Sequence, residues 1–284
     1  MSNIFWYYCS SVMGAGMTFF TILNKKNIIT IAARAFFAMS FIMVGEFFVL
    51  TIFGGYTYKP GVFTDPFADS VIGHILGNLL LWPGAASLVA AFSLGYRWML
   101  LISVAFMLIE TLFLNLGIYE HHWWRTYMTG IAVVFCLTIF KMWAPRWNDK
   151  QHTFLRNITF YFLSLLFIHL PTTLLLLFER QHFSIGWVEN FYKDSILFAF
   201  IYHGGMSFVY VVFICILKKW PWQLTPILIF LLSDYILVSM NILFFQDGWN
   251  LPYLTLLRTI SLVIVTLLEK YTCIATISQS QPLR

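Results

Sequence analysis

Six ionisable side chains stand inside long apolar stretches of this chain: Glu46, His74, Glu110, His169, His203 and Asp234. A charge held at the centre of a bilayer costs roughly 2.5–3.5 kcal/mol on insertion scales, so each such group is a functional hypothesis. Glu46, His74 and Glu110 fall in the outer parts of their stretches. Facing one another they would form a carboxylate and imidazole pocket with Asp69 at its lip, and Asp234 is the matching acid later in the chain. Burial and a neighbouring imidazolium push a carboxyl group in opposite directions, which would let the set exchange protons near neutrality and would suit proton-coupled transport. The same groups also serve as interhelical hydrogen bonds, worth about 0.6 kcal/mol on average in measured bundles, with no turnover at all. His169 beside Pro171 and His203 beside Gly204-Gly205 read as local packing, and Asn78 and Asn241 as hydrogen-bond partners between helices.

A second cluster, Glu120-His121-His122 with Trp124 close behind, falls on an outer loop. Adjacent residues point in different directions, and neither H-E-x-x-H nor a paired Cys pattern accompanies them, so the spacing implies no metal. Trp123-Trp124 reads as an anchor in the outer leaflet. Nucleotide chemistry lacks a G-x-x-x-x-G-K-[ST] loop, and serine hydrolysis lacks a G-x-S-x-G elbow. Cys9, Cys136, Cys215 and Cys273 are widely separated and read as small packing residues. No catalytic residue and no cofactor is implied.

The elements that must position these groups follow from composition. Of 284 residues, 60% are hydrophobic and 10% charged, with a mean hydropathy of +0.79. An ordinary soluble domain is about 45–50% apolar and about 25% charged, so a soluble globule is excluded. The basic residues are scattered rather than gathered in one patch, which excludes nucleic acid as a partner. The partner implied is the lipid bilayer, with other membrane proteins or a second copy left open. A hydrocarbon core about 30 Å thick needs roughly 20 apolar residues in a helix. Runs at 4–23, 28–54, 70–93, 98–118, 124–143, 157–178, 195–217, 223–245 and 251–271 meet or approach that length. The fold expected is all-α, a polytopic transmembrane bundle of about nine spans forming a single integral membrane domain over 1–284. Ordinary loops are expected at Gly55–Asp69, Ala144–Arg156 and Glu179–Asp194.

Orientation follows the positive-inside bias. With the N-terminus outside and the C-terminus cytoplasmic, Lys25, Lys26, Arg97, Lys141, Arg146, Lys150, Arg156, Lys218, Lys219, Lys270 and Arg284 fall inside, against Lys59, Arg125, Arg180 and Lys193 outside. Arg34 is near enough to the inner face to snorkel, whereas Arg258 lies deeper and needs a partner. Trp6, Tyr7, Tyr56, Tyr58, Trp123, Trp124, Trp143, Trp147, Trp220 and Trp222 stand at expected span ends, as an interfacial aromatic belt would. Pro83 and Pro171 are expected to kink their helices. Gly73-x-x-x-Gly77 favours a close helix contact.

After the leading helix, the rest divides into two sets of four spans, 28–143 and 157–271. Phe67-Ala68-Asp69-Ser70 and Tyr192-Lys193-Asp194-Ser195 open the third and seventh spans alike. Glu110 and Trp124 then match Asp234 and Trp249. A duplication of this kind, with an even number of spans per unit, is parallel rather than inverted. The stretch 69–143, carrying Trp82-Pro83, Glu110, Tyr119, His122-Trp123-Trp124, Tyr127 and Thr129, resembles a family of small uncharacterised multi-span membrane proteins of spore-forming bacteria. The resemblance covers about a quarter of the chain and implies a bacterial cytoplasmic membrane location, not an activity. In the second set Ser207-Phe208 replaces Trp82-Pro83, and Asn250 and Leu251 replace the polar residues after Trp124, so any site marked by the pattern is lost there.

The first functional reading is a non-enzymatic multi-pass protein of the bacterial cell membrane, with a structural, partner-binding or sensory role. The alternative is a proton- or cation-coupled secondary transporter with Glu46, Glu110 and Asp234 as carriers. A third is an intramembrane lipid-modifying enzyme using Glu110 and His122. A pocket joining the acids would favour the second reading, and apolar closure around them the first.

Overall fold

The computed structural model describes residues 2–25, 28–146, 153–217 and 220–279, in two units, Met1–Trp147 and Asn148–Arg284. Several residues used for orientation, Lys26, Trp147, Lys150, Lys218, Lys219 and Arg284, lie outside the described residues, as do the side chains of Arg146, Trp220, Lys270 and Cys273.

In the first unit the order is α1 (Asn3–Lys25), α2 (Ile28–Glu46) continuing as a π-helical turn (Phe47–Ile52), β1 (Tyr56–Tyr58), α3 (Pro66–Asn78), α4 (Leu81–Phe92), α5 (Tyr96–Asn115), β2 (Tyr119–His121) and α6 (Thr126–Arg146). The second unit runs α7 (Thr153–Leu177), β3 (Gln181–Phe183), α8 (Phe191–Tyr210) continuing as a π-helical turn (Val211–Leu217), α9 (Trp220–Gln223), α10 (Thr225–Ser239), β4 (Leu243–Phe245) and α11 (Leu251–Gln279). Among the described residues seven helices are long and apolar enough to cross a membrane: Ile28–Ile52, Pro66–Phe92, Tyr96–Asn115, Thr126–Ala144, Thr153–Leu177, Phe191–Leu217 and Leu251–Leu268. Each corresponds to one of the expected runs. The expected span at 223–245 is a shorter helix, Thr225–Ser239, because its last residues form β4 instead. Asn241, expected inside that span, sits in the turn after it with φ of 54°.

Two of the three expected loops hold strands, β1 in the first and β3 in the third. β1 pairs antiparallel with β2, Tyr56 opposite His121 and Tyr58 opposite Tyr119, and β3 pairs with β4, Gln181 opposite Phe245 and Phe183 opposite Leu243. Each strand is three residues long, too short for periodicity to register. The strand-to-helix link is tied the same way in both units. Asp69 accepts from the amides of Gly61, Val62 and Phe63, and Asp194 from those of Ile185, Gly186, Trp187 and Val188. Ser70 Oγ accepts from Tyr58 N at 3.0 Å, and Ser195 Oγ from Phe183 N at 2.9 Å. Gly61 and Gly186 take the left-handed turn that this wrapping requires, with φ of 76° and 80°.

Asp65 caps α3, its carboxylate accepting from Phe67 and Ala68 N, with Pro66 at the first helical position. The third span is interrupted at Leu79–Leu80 and restarts at Leu81. Pro83 therefore lies in the first turn of α4, where its missing N–H costs nothing, and the break falls ahead of it. α1 packs on this break with backbones in contact. A Cβ on Gly14 would stand 2.3 Å from the Leu80 carbonyl carbon, and one on Gly84 2.4 Å from the Gly14 carbonyl oxygen. Tyr7 Oη donates to Ile118 O at 2.5 Å and accepts from Lys59 N at 3.1 Å, which ties α1 to the strand pair. Tyr7, Tyr56 and Tyr58 are thus core residues, exposed by 0%, 7% and 6%, rather than members of a belt. Arg34 is half-buried, and its Nη2 donates to Ala144 O, near the end of α6, at 3.0 Å.

Candidate functional site

Glu46 and Glu110 line one cavity of about 80 Å³ in the first unit, bounded by α1 to α6 and by the strand pair. A single water needs roughly 10–15 Å³ by the same kind of measure, so the space takes several waters or one small solute. Its wall is aromatic, with Tyr56, Tyr58, Trp82, Phe106, Phe113, Tyr119 and Trp124, and its polar groups are Ser10, Glu46, Asn78, Glu110 and Thr129. Among these described lining residues none is Lys or Arg.

Glu46 ends the α-helical part of α2, immediately before the π-helical turn, a local widening often found at functional sites. Its Oε1 accepts from Asn78 Nδ2 at 2.8 Å and from Tyr58 Oη at 3.1 Å. Its Oε2 is buried and makes no hydrogen bond of ordinary geometry, although the Tyr56 hydroxyl and the His74 ring also interact with this carboxylate. Asn78 is available because α3 stops there, and its Nδ2 also contacts Tyr58 Oη at 2.7 Å. Glu110 accepts from Thr129 Oγ1, which in turn accepts from Trp124 Nε1 at 2.7 Å, and its Oε1 lies 2.8 Å from His121 Nε2. Burial and then the Glu46 carboxylate push the Tyr56 and Tyr58 hydroxyls well above their ordinary range, and burial with Glu110 does the same to Tyr119. These phenols therefore stay protonated hydrogen-bond donors.

The expected cluster divides. His74 Nδ1 stands 3.5 Å from Glu46 Oε1, yet both ring nitrogens lack hydrogen bonds and the ring is not part of the cavity wall. Asp69 is not at the lip, because three loop amides occupy its carboxylate. Asp234 belongs to the second unit. Along β2 the side chains alternate faces, so the outer group separates too. Tyr119 is buried, whereas Glu120 points out to pair with Lys59, whose hydrogen bond and then charge hold its carboxyl below the usual range. His121 turns back to Glu110. His122 Nε2 contacts Thr57 Oγ1 at 2.8 Å rather than Glu110, and Trp124 joins the cavity wall. Trp123 is 43% exposed, its Nε1 donating to Phe53 O. Among the described residues no group of three His, Cys, Asp or Glu is placed to hold a metal ion.

Tyr58 escaped attention as a site residue because a tyrosine at a span end also fits an interfacial anchor. The signal that could have found it is its fixed distance ahead of Asp-Ser, which Phe183 shares.

In the second unit Arg258, exposed by 1%, fills a buried polar centre. Its Nη2 donates to His203 Nε2 at 2.9 Å, its Nη1 reaches Ile168 O and Thr172 Oγ1, both at 3.2 Å, and its Nε is 3.9 Å from Asp234 Oδ2. Cζ lies 4.7 Å above the Phe230 ring. Because His203 Nε2 accepts, the ring's proton is on Nδ1 and is donated to His169 Nδ1 at 3.1 Å, so both imidazoles are neutral. Tyr202 Oη donates to Asp234 Oδ1 at 2.8 Å. The partner that Arg258 requires is thus a set of groups, and His169 and His203 are part of it. Comparison with known protein families, curated proteins and solved structures finds no match.

Proposed function

We propose that this is a multi-pass membrane protein that carries a small solute across a cell membrane, with the solute site in the cavity of the first unit and Glu46 and Glu110 as its coupling carboxylates. One observation carries the reading: two acids from separate helices meet at one cavity, and an oxygen of one of them, Glu46 Oε2, is buried without a hydrogen bond of ordinary geometry. Side chains that act as interhelical glue satisfy both of their oxygens, since an unmade buried hydrogen bond costs about 1–3 kcal/mol. The arrangement proposed is about nine crossings, the N-terminus outside and two duplicated halves related in parallel. The repeated strand, Asp-Ser and left-handed glycine anchors support the duplication.

A second reading, a structural or partner-binding protein, has its own support. Glu46 and Glu110 bond across elements to Asn78, Tyr58, Thr129 and His121. Proteoliposomes loaded with a pH-sensitive dye and challenged with a panel of small cations, anions and neutral solutes separate the two. The carrier reading expects at least one solute to move protons, with the movement lost in Glu46→Gln and Glu110→Gln while membrane level holds and the melting temperature does not fall. Proton silence across the panel, with both variants poorly folded, would establish the structural role instead.

A further inference from the structure

From the side-chain register of the two units we infer that the cavity takes a small organic cation of the guanidinium or alkylammonium class; this rests on the solute-carrier reading. Counted from matching anchors, the surroundings of Arg258 recur around the cavity. Asp234 and Phe230 precede the left-handed turn residue Asn241 by the same steps as Glu110 and Phe106 precede Gly117. His203 follows Asp194-Ser195 as Asn78 follows Asp69-Ser70. Glu110, Phe106 and Asn78 all line the cavity. The position equivalent to Arg258 itself, counted from the first residues of α11 and α6, is Val133, a side chain too short to reach the centre.

The first unit therefore keeps a guanidinium's acid, aromatic face and hydrogen-bonding amide while lacking a guanidinium of its own. It also adds a charge, since Glu46, whose buried Oε2 makes no hydrogen bond of ordinary geometry, lines the same cavity and no described lining residue is basic. A planar cation would take its charge from Glu46 and Glu110 and lie against Phe106, whose ring meets Trp82 edge to face at 5.0 Å. Aromatic walls attract cations through the ring quadrupole, an effect strengthened where water is excluded.

The test uses the full-length protein in lipid nanodiscs. Tryptophan fluorescence and melting temperature are followed against millimolar guanidinium, methylguanidinium and ethylammonium, with urea as the neutral isostere of guanidinium and acetate as the anion. Saturable binding of the cations is expected, and little of urea or acetate. Glu110→Gln and Glu46→Gln should each weaken binding about tenfold or more, as loss of a charge-assisted contact implies. Val133→Arg should supply the cation in cis and abolish binding. If that variant does not accumulate, the two Gln variants decide. Urea binding as tightly as guanidinium, or cation binding unmoved by both Gln changes, overturns the inference. Binding of only neutral or anionic solutes also overturns it and leaves the carrier reading standing; a protein that binds no solute and moves no protons brings down both.

Discussion

Replacing Arg258 with leucine should cost the second unit about 3–4 kcal/mol, and the cost should depend on pH in a way that identifies its source. Arg258 and Asp234 are exposed by 1% and 0%. Without the guanidinium, Asp234 retains one donor, Tyr202 Oη, and His203 Nε2 and Thr172 Oγ1 lose theirs. Removing one member of a buried ion pair typically costs 3–5 kcal/mol. A stranded carboxylate can always be neutralised, however, so its share cannot exceed the cost of protonating an ordinary aspartate at pH 7. That is roughly 3 pH units at about 1.4 kcal/mol each, or about 4 kcal/mol. In the variant the folded state then binds a proton that the unfolded chain, near pH 7, does not. Stability rises wherever the folded state binds more protons and the pH falls, so the deficit should shrink by about 2–3 kcal/mol between pH 7 and pH 5. The double variant Arg258→Leu/Asp234→Leu removes the stranded charge and should recover at least about 2 kcal/mol of the single variant's loss at pH 7. Reversible unfolding in mixed micelles, each variant measured against the parent at the same pH, reads all three quantities. A pH-independent deficit, or a double variant no better than the single, would refute the argument that an uncompensated carboxylate carries the cost.

Asp69→Asn and Asp194→Asn should each destabilise by about 2 kcal/mol, as expected for loss of hydrogen bonds to a charged group. Amide exchange should speed at Gly61–Phe63 in the first variant and at Ile185–Val188 in the second, each leaving the other loop untouched. Gly14→Val should detach α1 and lower the melting temperature by several degrees, whereas Gly16→Val, whose Cβ meets nothing within 4 Å, should leave it unchanged; equal effects would exclude the backbone contact with Leu80 as the cause. His182 stacks on Phe244 with centroids 5.0 Å apart, and burial lowers its pKa. The fold thus prefers the neutral ring, so its contribution is complete above the ordinary value near 6.5 and is lost as pH falls below it. An NMR titration midpoint at or above 6.5 would contradict this.

The spans were legible because lipid leaves a chain few alternatives to continuous helices, so seven apolar runs could be read within a few residues of their ends. The acids Glu46 and Glu110 were legible for the same reason, since an ionisable group stands out against an apolar run. What hydropathy could not supply was direction. Asp69 and Glu120 carry the same chemistry as Glu46, but one is wrapped by loop amides and the other points outward on a three-residue strand. The outward turn of Glu120 depends on strand pairing between segments about sixty residues apart in sequence, Thr57 with Glu120, which no local pattern encodes. Tyr56 and Tyr58, expected in the aromatic belt, were misplaced for a similar reason. Tyrosine at a span end suits the interface and the core equally, and only the β1–β2 pair, which folds Tyr56 and Tyr58 inward, decides between them.

The second unit shows why packing alone does not account for the acids of the first. In the second unit a buried carboxylate is balanced from within the chain by Arg258, at the expense of desolvating two charges whose pairing seldom repays that cost. The first unit holds two carboxylates at one cavity; His74 and His121 stand beside them, but among the described lining residues no arginine or lysine answers them. If cohesion were all that was needed, Asn or Thr would bond across the same helices without a charge to bury, as Asn78 and Thr129 already do. A carboxylate charge buried beside a cavity carries a desolvation cost that the uncharged amide of glutamine does not. The balance is restored when a cation or a proton arrives from outside the chain, and stability gained on arrival grows with ligand concentration as RT ln(1 + [L]/Kd). Glu46→Gln should therefore raise the melting temperature of the ligand-free protein while removing its response to guanidinium. A variant that melts lower than the parent and still responds would show that Glu46 is there to hold the helices together.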